Sequence, residues 1–225
     1  MFSTKAFFAS CLVLLLAGCG GNDEQPKVTE KETAKTPAEP EAAKTILFFG
    51  NSLTAGYGLD SPDQAFPALV QDTLKALGLP YKVINGGLSG ETSAGGKSRI
   101  DWLLQQKIDV FVLELGANDG LRGIPVTETR KNLQDILDKV RAKYPDCRLV
   151  LAGMQVPPNM GNKYAGDFRS MFRDLAATNN ITLVPFLLEG VGGESRLNQA
   201  DGIHPTAEGH AILARNVWKV LEKEL

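Results

Sequence analysis

The sequence predicts one α/β domain on a five-stranded parallel sheet, preceded by a segment that does not belong to the fold. Three observations predict it. Short apolar runs at 46–49, 81–84, 110–115, 148–152 and 182–184 lack polar–apolar alternation, as strands covered on both faces do. Helical patterns follow them at 65–77, 92–105, 127–143, 165–178 and 207–223, and strands alternating with helices pair in parallel through helical crossovers. The 225 residues are 43% hydrophobic and 22% charged with a net charge of -2, which suits one globular domain plus an addition and gives no polyanion-binding surface. Nucleic acid is not an expected partner.

The chain begins with Lys5 ahead of an apolar run at 6–17, the layout of a secretory signal and too short for a comfortable membrane span. "LAGC" at 16–19 resembles the bacterial lipobox, which implies removal of residues 1–18 and lipidation of Cys19 as the new N-terminus. An ordinary signal with an incidental cysteine is the plainer alternative. Residues 19–44 mix charges with Pro26, Pro37 and Pro40 and contain no aromatic side chain. Such a segment buries too little apolar surface to offset its ordering entropy, so it is expected to be a disordered tether with a reach of roughly 80 Å at about 3.3 Å per residue. The domain proper is then 45–225, held by lipid to a membrane of a bacterial cell envelope. Cys11 lies in the signal and Cys147 is alone in the body, which excludes an internal disulfide. Its run "CRLVLAG" reads as a strand, so Cys147 is expected to be a buried, inert thiol.

In a parallel α/β sheet ligands bind outside the carboxyl ends of the strands. The first strand runs into "GNSLTAGYG", the second into "NGGLSGET", the third into "GAND", and "DGIHP" opens the last helix. Unusual residues therefore converge on one end. "GETSAGGKS" misses a phosphate-binding P-loop, because Glu91 stands where the first glycine belongs. Ser52 taken alone is best explained as a helix cap. As a nucleophile it needs a base, and the chain has two histidines, His204 and His210. Asp201 lies three residues before His204, a spacing that lets one turn bring the carboxylate to the imidazole; a turn and helix start at Pro205 would explain the same residues. His210 falls in a helical pattern and reads as a packing or surface residue. Acyl transfer also needs oxyanion donors, which Gly90 and Asn118 can supply, although a turn glycine and a helix cap account for them equally.

Together "GNSLTAGYG", "NGGLSGETSAGG", "GAND" and "DGIHPTAEGH" occur in the order of the four blocks of the SGNH, or GDSL-like, hydrolase superfamily and cover nearly the whole body. They most resemble its bacterial thioesterase, lysophospholipase and arylesterase branch. The resemblance implies a flavodoxin-like three-layer α/β/α sandwich with Ser52 as nucleophile, His204 as base and Asp201 orienting the histidine. It further implies an oxyanion hole made of the Ser52 and Gly90 amides and the Asn118 side chain. One departure is plain: Asn51 stands where the family usually has aspartate, which removes a charge beside the nucleophile but keeps a hydrogen-bonding side chain.

The expected activity is hydrolysis of a small-molecule carboxylic ester or thioester, lipid esters included, through an acyl-enzyme. No cofactor is expected, and no HExxH or Cys/His clustering suggests a metal. "VPPNMGNKY" and "FLLEGVGG" could border an acyl pocket, or Phe186, Leu187 and Leu188 could be core. The alternatives are a carbohydrate acetylesterase acting on envelope glycans and, from another class, a non-catalytic lipid- or glycan-binding lipoprotein.

Overall fold

The computed structural model describes residues 43–225, so the signal, lipidation and most of the tether readings lie outside the described residues. Five strands form one sheet: β1 (Lys44–Gly50), β2 (Tyr81–Gly87), β3 (Val110–Glu114), β4 (Arg148–Ala152) and β5 (Thr182–Val184). All neighbours are parallel and the order is β2-β1-β3-β4-β5. The central strands explain the missing alternation: Ile46 to Phe49 and Phe111 to Leu113 are fully buried because helices cover both faces. Lys44, at the edge of the expected tether, already pairs with Tyr81 as the first residue of β1.

The long helices are α2 (Phe66–Ala76), α3 (Ser93–Leu103), α5 (Val126–Lys143), α6 (Asn162–Asn179) and α7 (Ala207–Leu221), close to their expected spans. Two short ones were not separately foreseen, α1 (Ser52–Ala55) and α4 (Ala117–Leu121), each a single turn or so at the carboxyl end of a strand. Helices this short lack the several turns that make a periodic pattern visible. The chain leaves β1 through α2 toward β2, then crosses back over β1 to reach β3. Right-handed crossovers therefore put α3, α5 and α6 on the face opposite α2, and α7 returns to pack on α2. The direction of winding reverses between β1 and β3, and in such sheets ligands bind outside the carboxyl ends of the strands at that switch point.

Candidate active site

β1 ends at Gly50, and the chain turns at once into α1, whose first residue is Ser52. The cap of that helix is Asn51, whose Oδ1 accepts the Leu53 amide at 3.0 Å. The capping expected of Ser52 therefore falls to its neighbour, and the Ser52 hydroxyl, whose contact with Asn51 Oδ1 is a long 3.4 Å, has a closer partner. That partner is His204: its Nε2 lies 2.9 Å from Ser52 Oγ, across 152 positions of chain. His204 Nδ1 lies 2.6 Å from Asp201 Oδ2. With the Nδ1 proton donated to the carboxylate, Nε2 is left as the acceptor for the serine hydroxyl.

The local turn holds this pair. Asp201 Oδ1 accepts the Ile203 and His204 amides at 2.9 and 3.0 Å, so one carboxylate closes its own loop and orients the ring. The His204 side chain and these amides hold the Asp201 carboxyl down at about 2. The Tyr57 ring covers His204 with its centroid 4.6 Å away.

Gly90 lies in a turn closed by the Glu91 amide donating to Leu88 O at 3.1 Å, and its φ of 80° is the left-handed region that favours glycine. The Leu88 amide donates to Gly50 O at 2.9 Å and ties this turn to the end of β1. Asn118 is the second residue of α4, not its cap, and its Nδ2 donates to Glu91 O at 3.0 Å. The loop after β2 is thus joined to α4 beside the serine turn.

Beneath them lies a polar support that sequence reasoning missed. Buried Asp119 accepts the Ser93 amide at 2.8 Å and the Ser93 hydroxyl at 2.5 Å, and Thr129 Oγ1 at 3.3 Å, fastening α4 to α3 and α5. Glu91 pairs with Arg99, which also donates to Gly86 O and lies over the Phe49 ring. Glu114, the last residue of β3, is fully buried behind the serine turn, and burial pushes its carboxyl up to about 7. An acid closing the apolar run "VFVLE" was the available signal for it.

His210 packs as expected. It is buried, Nδ1 accepts the Phe66 amide at 3.2 Å, and the two rings stack, so burial pushes the imidazole down to about 4. Cys147 is a buried thiol pushed up to about 12 by burial. The expected acyl border is largely core: Leu187 is fully buried, and Phe186, Leu188, Val156 and Tyr164 are partly buried against the core. Exposed apolar side chains occur instead at this end of the sheet, on the loops at Tyr57, Leu88 and Ile203 and at the end of α4 at Leu121. Among the described residues no group of three His, Cys, Asp or Glu side chains could hold a metal ion.

Residues 48–212 match the GDSL-like Lipase/Acylhydrolase family. The chain is 43% identical over 182 residues to Esterase TesA of Pseudomonas aeruginosa, covering 80% of this chain and 89% of that protein. It is 36% identical over 182 residues to Thioesterase 1/protease 1/lysophospholipase L1 of Escherichia coli, covering 80% and 85%. A crystal structure of TesA superposes with a TM-score of 0.77 at 42% identity, over 81% of this chain and all of the other.

Proposed function

The chain belongs to the GDSL-like lipase/acylhydrolase family and is a serine esterase, and on that premise we propose that Ser52, His204 and Asp201 perform its chemistry on fatty-acyl esters and thioesters. The observation that carries the assignment is the continuous line from Asp201 through His204 to Ser52, at 2.6 and 2.9 Å. His204 Nε2 takes the hydroxyl proton as Ser52 Oγ bonds to the carbonyl carbon, and Asp201 stabilises the imidazolium. The tetrahedral oxyanion is held by the Ser52 and Gly90 amides and by Asn118 Nδ2, donors that act on charge developing in the transition state. Collapse returns the proton to the leaving alcohol or thiol and leaves an acyl-serine. Water then attacks with the same base, releasing the acid.

Tyr57, Leu88, Leu121 and Ile203, exposed on four segments at this end of the sheet, support an apolar substrate over an acetylated glycan. Relatives named as an esterase and as a thioesterase and lysophospholipase point the same way. In the test, Ser52→Ala should abolish labelling by a fluorophosphonate, and turnover should increase from acetyl to longer acyl nitrophenyl esters. Undiminished labelling of folded Ser52→Ala protein refutes the nucleophile, and a preference for acetylated sugars refutes the substrate class.

Cellular placement belongs to the same proposal. "LAGC" at 16–19 supports lipidation of Cys19 after removal of 1–18, with 19–44 as tether and the hydrolase at a bacterial envelope membrane. Cys19→Ser should prevent lipid attachment and release the protein from membranes. Mature wild-type protein carrying no lipid by mass spectrometry would refute it.

A further inference from the structure

Glu114 is a buried acid for which the reaction above has no use, and it lies directly behind the nucleophile. Its relative exposure is 1%, as is that of Asn51, and Thr54 is fully buried. Three donors converge on its carboxylate. The Asn51 amide reaches Oε2 at 3.1 Å, Asn51 Nδ2 reaches Oε1 at 2.8 Å, and Thr54 Oγ1 reaches Oε2 at 2.8 Å. The space is made by Gly50, where a Cβ would lie 2.1 Å from Thr54 Oγ1 and 2.5 Å from Glu114 Oε2.

An asparagine side chain has two unlike ends, and the neighbours decide which way it faces. Here Glu114 takes the Nδ2 end. Oδ1 is thereby turned to cap the Leu53 amide at 3.0 Å and lies 3.4 Å from Ser52 Oγ. We propose that Glu114 is a positioning residue for the nucleophile: by accepting both nitrogens of Asn51 it fixes the amide and the turn that aims Ser52 Oγ and the Ser52 amide at the substrate carbonyl. The proposal rests on Ser52 being the nucleophile.

The three donors stabilise the ionised acid, but burial outweighs them and holds its carboxyl up at about 7, so it is charged only above neutral pH. All three neighbouring polar groups donate, so an added proton has no acceptor unless one of those bonds is given up. No basic side chain contributes to holding the charge. β1 carries only Lys44, at its far end, α1 carries no titratable group, and β4 carries only Arg148, beside Val110 at the far end of β3. Over this end, His204 is joined through Ser52, while Glu91 with Arg99 and Asp119 with Ser93 are satisfied among themselves. The box therefore works with one acid and one amide. An aspartate in place of Asn51, beside Glu114, would put two carboxyls where one negative charge is solvated, and one of them would have to keep a proton.

The experiment measures kcat and KM at pH 8 for wild type, Glu114→Gln and the exchanged double variant Asn51→Asp/Glu114→Gln. The Glu114→Gln change places an NH2 group among three donors, forcing the Asn51 amide to turn and withdrawing Oδ1 from Leu53. A displacement of about 1 Å at the reacting centre costs on the order of 10²-fold, so kcat should fall by about that factor with KM little changed. The exchange restores one acid and one amide, lets the introduced glutamine donate to the introduced aspartate, and should recover most of the lost kcat. Folded Glu114→Gln protein with wild-type kcat overturns the proposal, as does a folded double variant no more active than the single one. If Glu114→Gln does not fold, the double variant alone decides: active supports the proposal and folded but inactive overturns it. Ser52→Ala labelled in parallel keeps the two readings apart, since retained labelling there refutes the nucleophile and leaves the Glu114 kinetics as a separate result.

Discussion

Two buried groups should impose opposite pH dependences on stability, and single substitutions should unmask them. Each proton by which the unfolded chain exceeds the folded chain makes stability rise by about 1.4 kcal/mol per pH unit. His210 falls from an ordinary value of 6.5 to about 4 on burial. Between those values the unfolded chain carries the extra proton, so this residue's stability contribution, intact above pH 6.5, is lost as pH falls toward 4. Glu114 rises from 4.5 to about 7 on burial. Between those values the folded chain carries the extra proton, so the penalty of burying its charge, present above pH 7, is relieved as pH falls toward 4.5. Over the shared window from pH 6.5 to 4.5 each contributes about 2 kcal/mol, with opposite sign, and the pair nearly cancels. His210→Asn keeps an oxygen in the place of Nδ1 to accept the Phe66 amide and removes the titration. The assay is Tm by circular dichroism at several pH values, read as variant minus wild type so that every other carboxylate cancels. That difference should move in favour of His210→Asn by about 4–8 °C on going from pH 6.5 to 4.5, at about 2–4 °C per kcal/mol for a domain of this size. Glu114→Gln should move the opposite way. A difference for His210→Asn that stays constant across the window would refute the burial argument.

Two further outcomes are expected. Asn118→Ala should retain some fluorophosphonate labelling while losing on the order of 10²- to 10³-fold in turnover, the usual cost of one oxyanion donor; unchanged turnover would show that its Nδ2 only bridges to Glu91 O. Asp119→Ala should destabilise the fold by roughly 1–3 kcal/mol for each buried donor left unmet, the Ser93 amide and hydroxyl first among them, as a fall in the denaturant midpoint with unchanged slope.

Much of the architecture is local in origin, and local features are what a sequence displays. The runs around Ile46, Phe111 and Val150 carry no alternation because both faces of those strands are covered, and that property is written residue by residue. The carboxyl-end placement of Ser52, Gly90, Asn118 and Asp201 follows from strand order along the chain together with the rule for ligands in parallel sheets. Asp201 and His204 were legible as a pair because their contact spans three residues.

Tertiary structure decided what depends on distant partners. Whether Ser52 or Asn51 caps α1 turns on Glu114, 63 positions from Asn51, taking the asparagine nitrogen, and no spacing within "GNSLTAGYG" contains that information. His204 meets Ser52 across 152 positions, whereas His210, six residues further on, is claimed by Phe66 and buried. "FLLEGVGG" and "GYG" are comparably apolar to the eye, yet Leu187 is core and Tyr57 is exposed over His204, because burial is set by what the rest of the chain brings to a face. Composition and periodicity act over neighbouring residues, and so they determined the sheet, its helices and the types of residue at its active end. Hydrogen bonds and burial act between segments far apart in the chain, and only the fold could determine how those residues are oriented, which are solvated and which are charged.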